Sequence, residues 1–124
     1  MRYWFDLLNH AVGTGDTAPL QAASSPQCAT CTAAVQTVRD GYANGKSLHG
    51  GTFTVREVTT NNFFNLDKPL LAIVFDRGPR SVLGPGGELV QNVPGATFLT
   101  CEVVLERAEN RWRVVGVLSA TPLV

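Results

Sequence analysis

Two cysteines three residues apart, Cys28 and Cys31, are the groups in this chain whose type and spacing most readily carry chemistry. They follow Ser25-Pro26, where Ser25 suits a helix N-cap and Pro26 the first helical position, so a helix is predicted from Pro26 to about Asn44. A CxxC pair at a helix start has three readings. Zinc needs two further ligands from Cys101, His10 and His49, and no second close-spaced pair exists. A redox centre gains from the helix N-terminus, which stabilises a thiolate. Thioredoxin-like sites, however, follow a β-strand in a βαβ unit, whereas a short helix and loop precede this pair. The structural reading is a local disulfide that fixes the helix start, and it is the one expected here. Cys101 then stays unpaired as a small buried hydrophobe. No metal and no cofactor is implied.

Other arrangements are weaker. The sequence holds no nucleophile elbow, and Gly84-Pro85-Gly86-Gly87 lacks the lysine, hydroxyl and following helix of a phosphate loop. His10 and His49 read as structural or solvated.

The elements that must position these residues change period along the chain. Trp4, Leu7, Leu8 and Ala11 form one stripe, widened by Phe5 and Val12, which predicts a helix over 2–12 that stops at Gly13-Thr14-Gly15. Asp16 or Thr17 caps a short helix to about Ala23. In the long helix Val35, Val38 and Tyr42 continue the Cys31 face. After Gly50-Gly51 the pattern is β: Thr52–Val58, then a loop from Asn61 to Lys68 carrying Phe63-Phe64, then Leu70–Phe75, read as a central strand covered on both faces. A hairpin is predicted from Arg80–Leu83 and Glu88–Val93 around Gly84–Gly87. Leu99, Cys101, Val103 and Leu105 then share one strand face, and Trp112, Val114 and Leu118 share a face of the last strand. Trp4, Trp112, Phe75 and Tyr42 are expected in the core. The result is an α+β domain over residues 1–124, with three N-terminal helices packed on a curved, mostly antiparallel sheet of five to six strands.

Composition narrows the function classes. With 124 residues, 44% hydrophobic and 16% charged, the chain can bury a real core. Ten basic residues balance ten acidic ones, so no global field attracts nucleic acid. No apolar run is long enough to span a membrane. Met1 sits directly on a helical pattern with no capping residue ahead of it, which is expected of a domain cut from a longer chain.

Tyr3-Trp4, Leu8-Asn9, Thr14-Gly15-Asp16, Cys28-x-x-Cys31 after Ser25-Pro26, Gly50-Gly51 and Trp112-Arg113-Val114 run across nearly the whole chain. In order and spacing they resemble the nuclear transport factor 2-like, cone-shaped α+β superfamily, and within it an actinobacterial family of secreted lipoproteins of unknown function. That resemblance implies an extracytoplasmic, cell-surface domain, lipid-anchored through a segment outside this sequence. It also implies a conical pocket for a small apolar ligand, and a homodimer. The pocket is assigned to Trp4, Leu8, Tyr42, Phe63, Phe64, Phe75 and Phe98. Cone-fold isomerases and epoxide hydrolases use carboxylates in such a pocket. The acids here are Asp6, Asp40, Glu57, Asp76 and Glu102; Asp40 and Glu102, with Tyr3 and His10, are the catalytic candidates. They match no isomerase or hydrolase set position by position. The expectation is therefore a non-catalytic binding or interaction domain of a cell-envelope protein, with an acid–base enzyme as the alternative.

Overall fold

The structure is a computed structural model that describes residues 2–61, 68–119 and 122–124, with the side chains of residues 61 and 108 left aside. Helices α1 (Arg2–Thr14), α2 (Ala18–Ala22) and α3 (Ala29–Tyr42) come first. Seven strands follow among the described residues: β1 (Ser47–Gly50), β2 (Phe53–Asn61), β3 (Leu70–Arg77), β4 (Arg80–Leu83), β5 (Leu89–Val93), β6 (Ala96–Ala108) and β7 (Arg111–Ser119). All strand pairings are antiparallel, in a four-stranded sheet of order β2-β3-β6-β7 and a three-stranded sheet of order β1-β4-β5. The α+β class is as expected. The expected single sheet of five to six strands is instead two, with β1 as a short extra strand.

Chain corners join the sheets at Gly50-Gly51, at Gly78-Pro79 and at Pro94-Gly95. The first two are cross-bonded: Gly51 N–H donates to the Pro79 carbonyl (2.9 Å) and Gly78 N–H to the Thr52 carbonyl (3.0 Å). Gly50 needs its lack of a side chain twice over. Its φ is +79°, and a Cβ there would run into the Pro79 carbonyl oxygen.

Helix α1 buries Trp4, Phe5, Leu8, Ala11 and Val12, the stripe predicted from spacing. It is docked by Asn9, whose Nδ2 donates to the Phe53 carbonyl (2.9 Å) while its Oδ1 accepts from Phe53 N–H (2.7 Å). Trp4 Nε1 donates to Ser24 Oγ (3.0 Å), which donates to the Leu20 carbonyl (2.7 Å). A buried indole donor is thereby satisfied. Between sheet and helices the rings of Phe5, Phe53 and Phe75 form a triangle, with centroids 5.4 to 6.1 Å apart.

Four expectations change. Helix α3 begins at Ala29 rather than Pro26, because Ser25 heads a separate turn, its carbonyl accepting from Cys28 N–H (3.0 Å), and Cys28 is extended; Ser25 N–H itself donates to the Val114 carbonyl (2.7 Å). Residues 23–25 thereby lie beside β7, with Val114 N–H donating to the Ala23 carbonyl (2.9 Å). Strand β3 is central in its sheet, but only Leu71, Ile73 and Phe75 are buried; Ala72 faces out. In β7 a bulge between the partners of Val104 and Leu105 shifts the register by one residue. Val114 and Val117 are therefore buried, while Leu118 turns outward. Trp112 is not a core residue: it lies at the end of β7, 50% exposed, with the Arg107 guanidinium 5.9 Å from its ring.

Candidate functional site

The cysteine pair is a disulfide, Cys28–Cys31, with Cα atoms 5.2 Å apart. Cys28 is itself the N-cap of α3: its Sγ accepts from Cys31 N–H (3.1 Å), doing the work expected of Ser25. Both cysteines are buried. Cys31 forms part of the wall of a groove of about 460 Å³ between α2 and α3, with Gln21, Pro26, Val35 and Arg39. Cys101 is the free thiol; it is buried, and burial pushes its pKa up to about 11. Reduction should lower stability by only about 1–2 kcal/mol, since the closed loop is short. Denaturant melts with and without reductant check this, and thiol titration of the unreduced, unfolded protein should count one free cysteine.

The residues assigned to a conical pocket fall into four groups. Trp4, Leu8 and Phe75 are fully buried in the ring cluster and its border. Tyr42 is half-buried at the end of α3, its hydroxyl donating to the Val12 carbonyl (2.7 Å), and burial raises its pKa. Phe98 lies on the opposite side of the sheet. Phe63 and Phe64 lie outside the described residues.

The catalytic candidates are not brought together. Glu102 stands on the outer face of β6, lining a groove with Ala72, Val74, Thr100 and Leu118. Asp40 is exposed on α3 and accepts from Gln36 Nε2 (2.8 Å). Tyr3 is exposed on α1, lining a separate groove with Trp112. His10 Nε2 lies 3.3 Å from Asp16 Oδ2 beyond the other end of α1. His49, at β1, meets Ser47 Oγ (2.9 Å). Glu102 and Tyr3 thus line different grooves. Among the described residues no three metal-ligating side chains cluster.

A different group does converge, on the outer face of the four-stranded sheet. Between Phe75 and Arg77 the β3–β6 register shifts, and Phe98 sits in the resulting irregularity. Its φ is +52°, a left-handed conformation that costs a bulky residue about 1–2 kcal/mol. Its ring is nonetheless 65% exposed. Three contacts hold it there. Phe98 N–H donates to Asp76 Oδ1 (3.0 Å), Arg56 Nε donates to the same oxygen (2.7 Å), and the Arg56 guanidinium lies 4.1 Å from the centre of the Phe98 ring. The Arg56 hydrogen bond and the Phe98 amide together keep the Asp76 carboxyl below its ordinary range. Along the same face runs a groove of about 450 Å³ that reaches Leu118, which is 65% exposed. Sequence alternation does place Phe98 with Thr100 and Glu102 on the polar face; the Arg56–Asp76 clamp and the backbone strain leave no trace in it.

No helix among the described residues is long and apolar enough to cross a membrane. The fold is similar to that of three solved structures. One is the intermembrane-space region of the chloroplast protein ARC6, at 12% identity and TM-score 0.62 over 96% of this chain and 91% of that one. Another is a candidate dehydratase of the nuclear transport factor 2-like family from Streptomyces avermitilis, at 13% identity and TM-score 0.54 over 94% and 90%. The third is a protein of unknown function with a cystatin-like fold from Nostoc punctiforme, at 11% identity and TM-score 0.51 over 99% and 92%. At such identities the likeness is one of fold: this chain has the nuclear transport factor 2-like, cystatin-like cone fold. No curated protein sequence matches it. A family match covers residues 1–118, and by it the chain belongs to the family of unknown function DUF6318.

Proposed function

We propose that this is a non-catalytic interaction domain of a bacterial cell-envelope protein, and that it pairs with a second copy of itself across the open face of the four-stranded sheet. The observation that carries the reading is Phe98. Folding energy is spent to hold a large ring outward in a strained backbone, and such strain persists where the surroundings fix it for a purpose. Leu118 extends the apolar surface, and with Arg56 paired to Asp76 the charges left on the same side are those of Glu57 and Glu102. The separation of Glu102, Asp40, Tyr3 and His10 counts against acid–base catalysis by those residues. The Cys28–Cys31 disulfide supports an extracytoplasmic setting, with lipid anchoring through a segment outside this sequence as part of the same proposal.

Sedimentation over a micromolar-to-millimolar series tests the pairing. The wild type is expected to dimerise, and Phe98→Glu or Leu118→Glu to remain monomeric with an unchanged fold by circular dichroism. A wild type that stays monomeric throughout would sink the reading. So would native mass spectrometry showing a small apolar molecule on a monomer that Phe98→Glu releases, which would assign the face to a ligand.

A further inference from the structure

Arg77 ends β3 and Arg80 opens β4, on either side of the Gly78-Pro79 corner. Alternation turns both inward, away from the Phe98 face: Arg77 follows Leu71, Ile73 and Phe75, and Arg80 precedes the buried Val82. Arg77 is partly satisfied, its Nη1 donating to the carbonyls of Pro122 (3.1 Å) and Leu123 (3.2 Å). Arg80 is only 8% exposed and, among the described residues, has no hydrogen bond and no ion pair. Its stem lies over Gly51, where a Cβ would sit 3.2 Å from the Arg80 Cβ. The Nε atoms of both arginines are sealed from solvent without a partner, while the Nη groups of Arg80, equally unbonded, are not sealed. The Arg80 guanidinium thus has a closed root and an open tip.

A buried charge without a counter-charge is among the most unfavourable features a small domain can carry, and a like charge across the same corner aggravates it. Both effects are felt by Arg80: burial, then the Arg77 charge, lowers its pKa. A methionine would fill the same space without the penalty, so the arrangement makes sense if an anion offsets it. We infer that Arg80, with Arg77 behind it, forms a receptor for a small carboxylate that docks end-on at the Arg80 Nη groups. The planar guanidinium fork matches a planar carboxylate. This site lies on the other side of the sheet from the proposed pairing face and stands or falls apart from it.

Thermal melts of the whole chain in sodium formate, sodium acetate and sodium phosphate, each against sodium chloride at equal ionic strength, test the site. Formate and acetate are expected to raise the Tm by about 3–5 °C at a concentration near ten times Kd. In Arg80→Met that rise should vanish, although the variant should be at least as stable as the wild type in chloride. Arg80→Lys, which keeps the charge but not the fork, should retain less than half of it. The sealed Nε–H groups offer a readout on the wild type alone: their nitrogen–proton resonances should move on titration with formate and stay fixed with chloride. Absence of a carboxylate-specific shift in both measurements would overturn the assignment, as would an undiminished rise in Arg80→Met. A larger response to phosphate than to formate would overturn the carboxylate class.

Discussion

Phe75→Ala should lower the unfolding free energy by about 3–5 kcal/mol, the range for truncating a fully buried aromatic. The ring stands 5.4 Å from Phe5 and 5.9 Å from Phe53, so its removal opens a void whose walls are a helix and two strands. Those walls are tied together by the Asn9–Phe53 bonds and cannot readily collapse inward. Urea denaturation with an unchanged m-value is the appropriate measurement. A loss below about 1 kcal/mol would mean that the space between sheet and helices is not packed as described, and would restore Phe75 to the wall of a ligand cavity.

Gly50→Ala should destabilise by about 2–4 kcal/mol, since it adds a left-handed backbone penalty to a clash with main chain. The obstructing atom is the Pro79 carbonyl oxygen, which belongs to the next corner and cannot swing aside as a side chain could. Gly87 provides the control. Its φ is +84°, close to that of Gly50, but nothing lies within 4 Å of a Cβ built there. Gly87→Ala should therefore show the backbone penalty alone, about 1 kcal/mol. Equal losses for the two variants would show that the corner relaxes, and that Gly50 matters for its conformation rather than its closeness to Pro79.

Where a face is set by local spacing, the sequence was enough to read it. The stripe from Trp4 to Val12 is a helix, Leu99 to Leu105 alternates as expected, and Gly50-Gly51 marks a corner. What went unread depends on distant partners. Ser25-Pro26 has every local feature of a helix start, but Val114, from the other end of the chain, pairs with Ala23 and Ser25 and draws them along β7, so that a turn follows and the helix starts only after the extended Cys28. In β7 the run Val114-Val115-Gly116-Val117 is apolar throughout, so no alternation marks the bulge that sends Leu118 outward. The residues that the resemblance assigns to a pocket are nearly all aromatic, and aromatic character alone does not tell an inward ring from an outward one. Burial then divides them, with Phe75 inside and Phe98 outside. The strain at Phe98 comes from a register shift opposite Asp76, which no single-strand pattern encodes. The Arg80 site escaped for a similar reason: an arginine opening a hairpin reads as solvated until the corner turns it inward.

The segment between α2 and α3 has one more consequence. An antiparallel sheet ends in two strands with unpaired backbone groups, and such borders recruit other chains into growing fibrils. Here β7 is one border, and residues 23–25 lie along it, taking both backbone groups of Val114, while the Thr30 hydroxyl takes the Val117 carbonyl (2.9 Å). The other border, β2, is interrupted by a register shift beside Arg56. The cysteine pair closes its loop three residues beyond Ser25, immediately after the segment that shields β7. Its small contribution to global stability thus understates its value, because it holds in place the piece of chain that keeps this sheet from being extended by its neighbours.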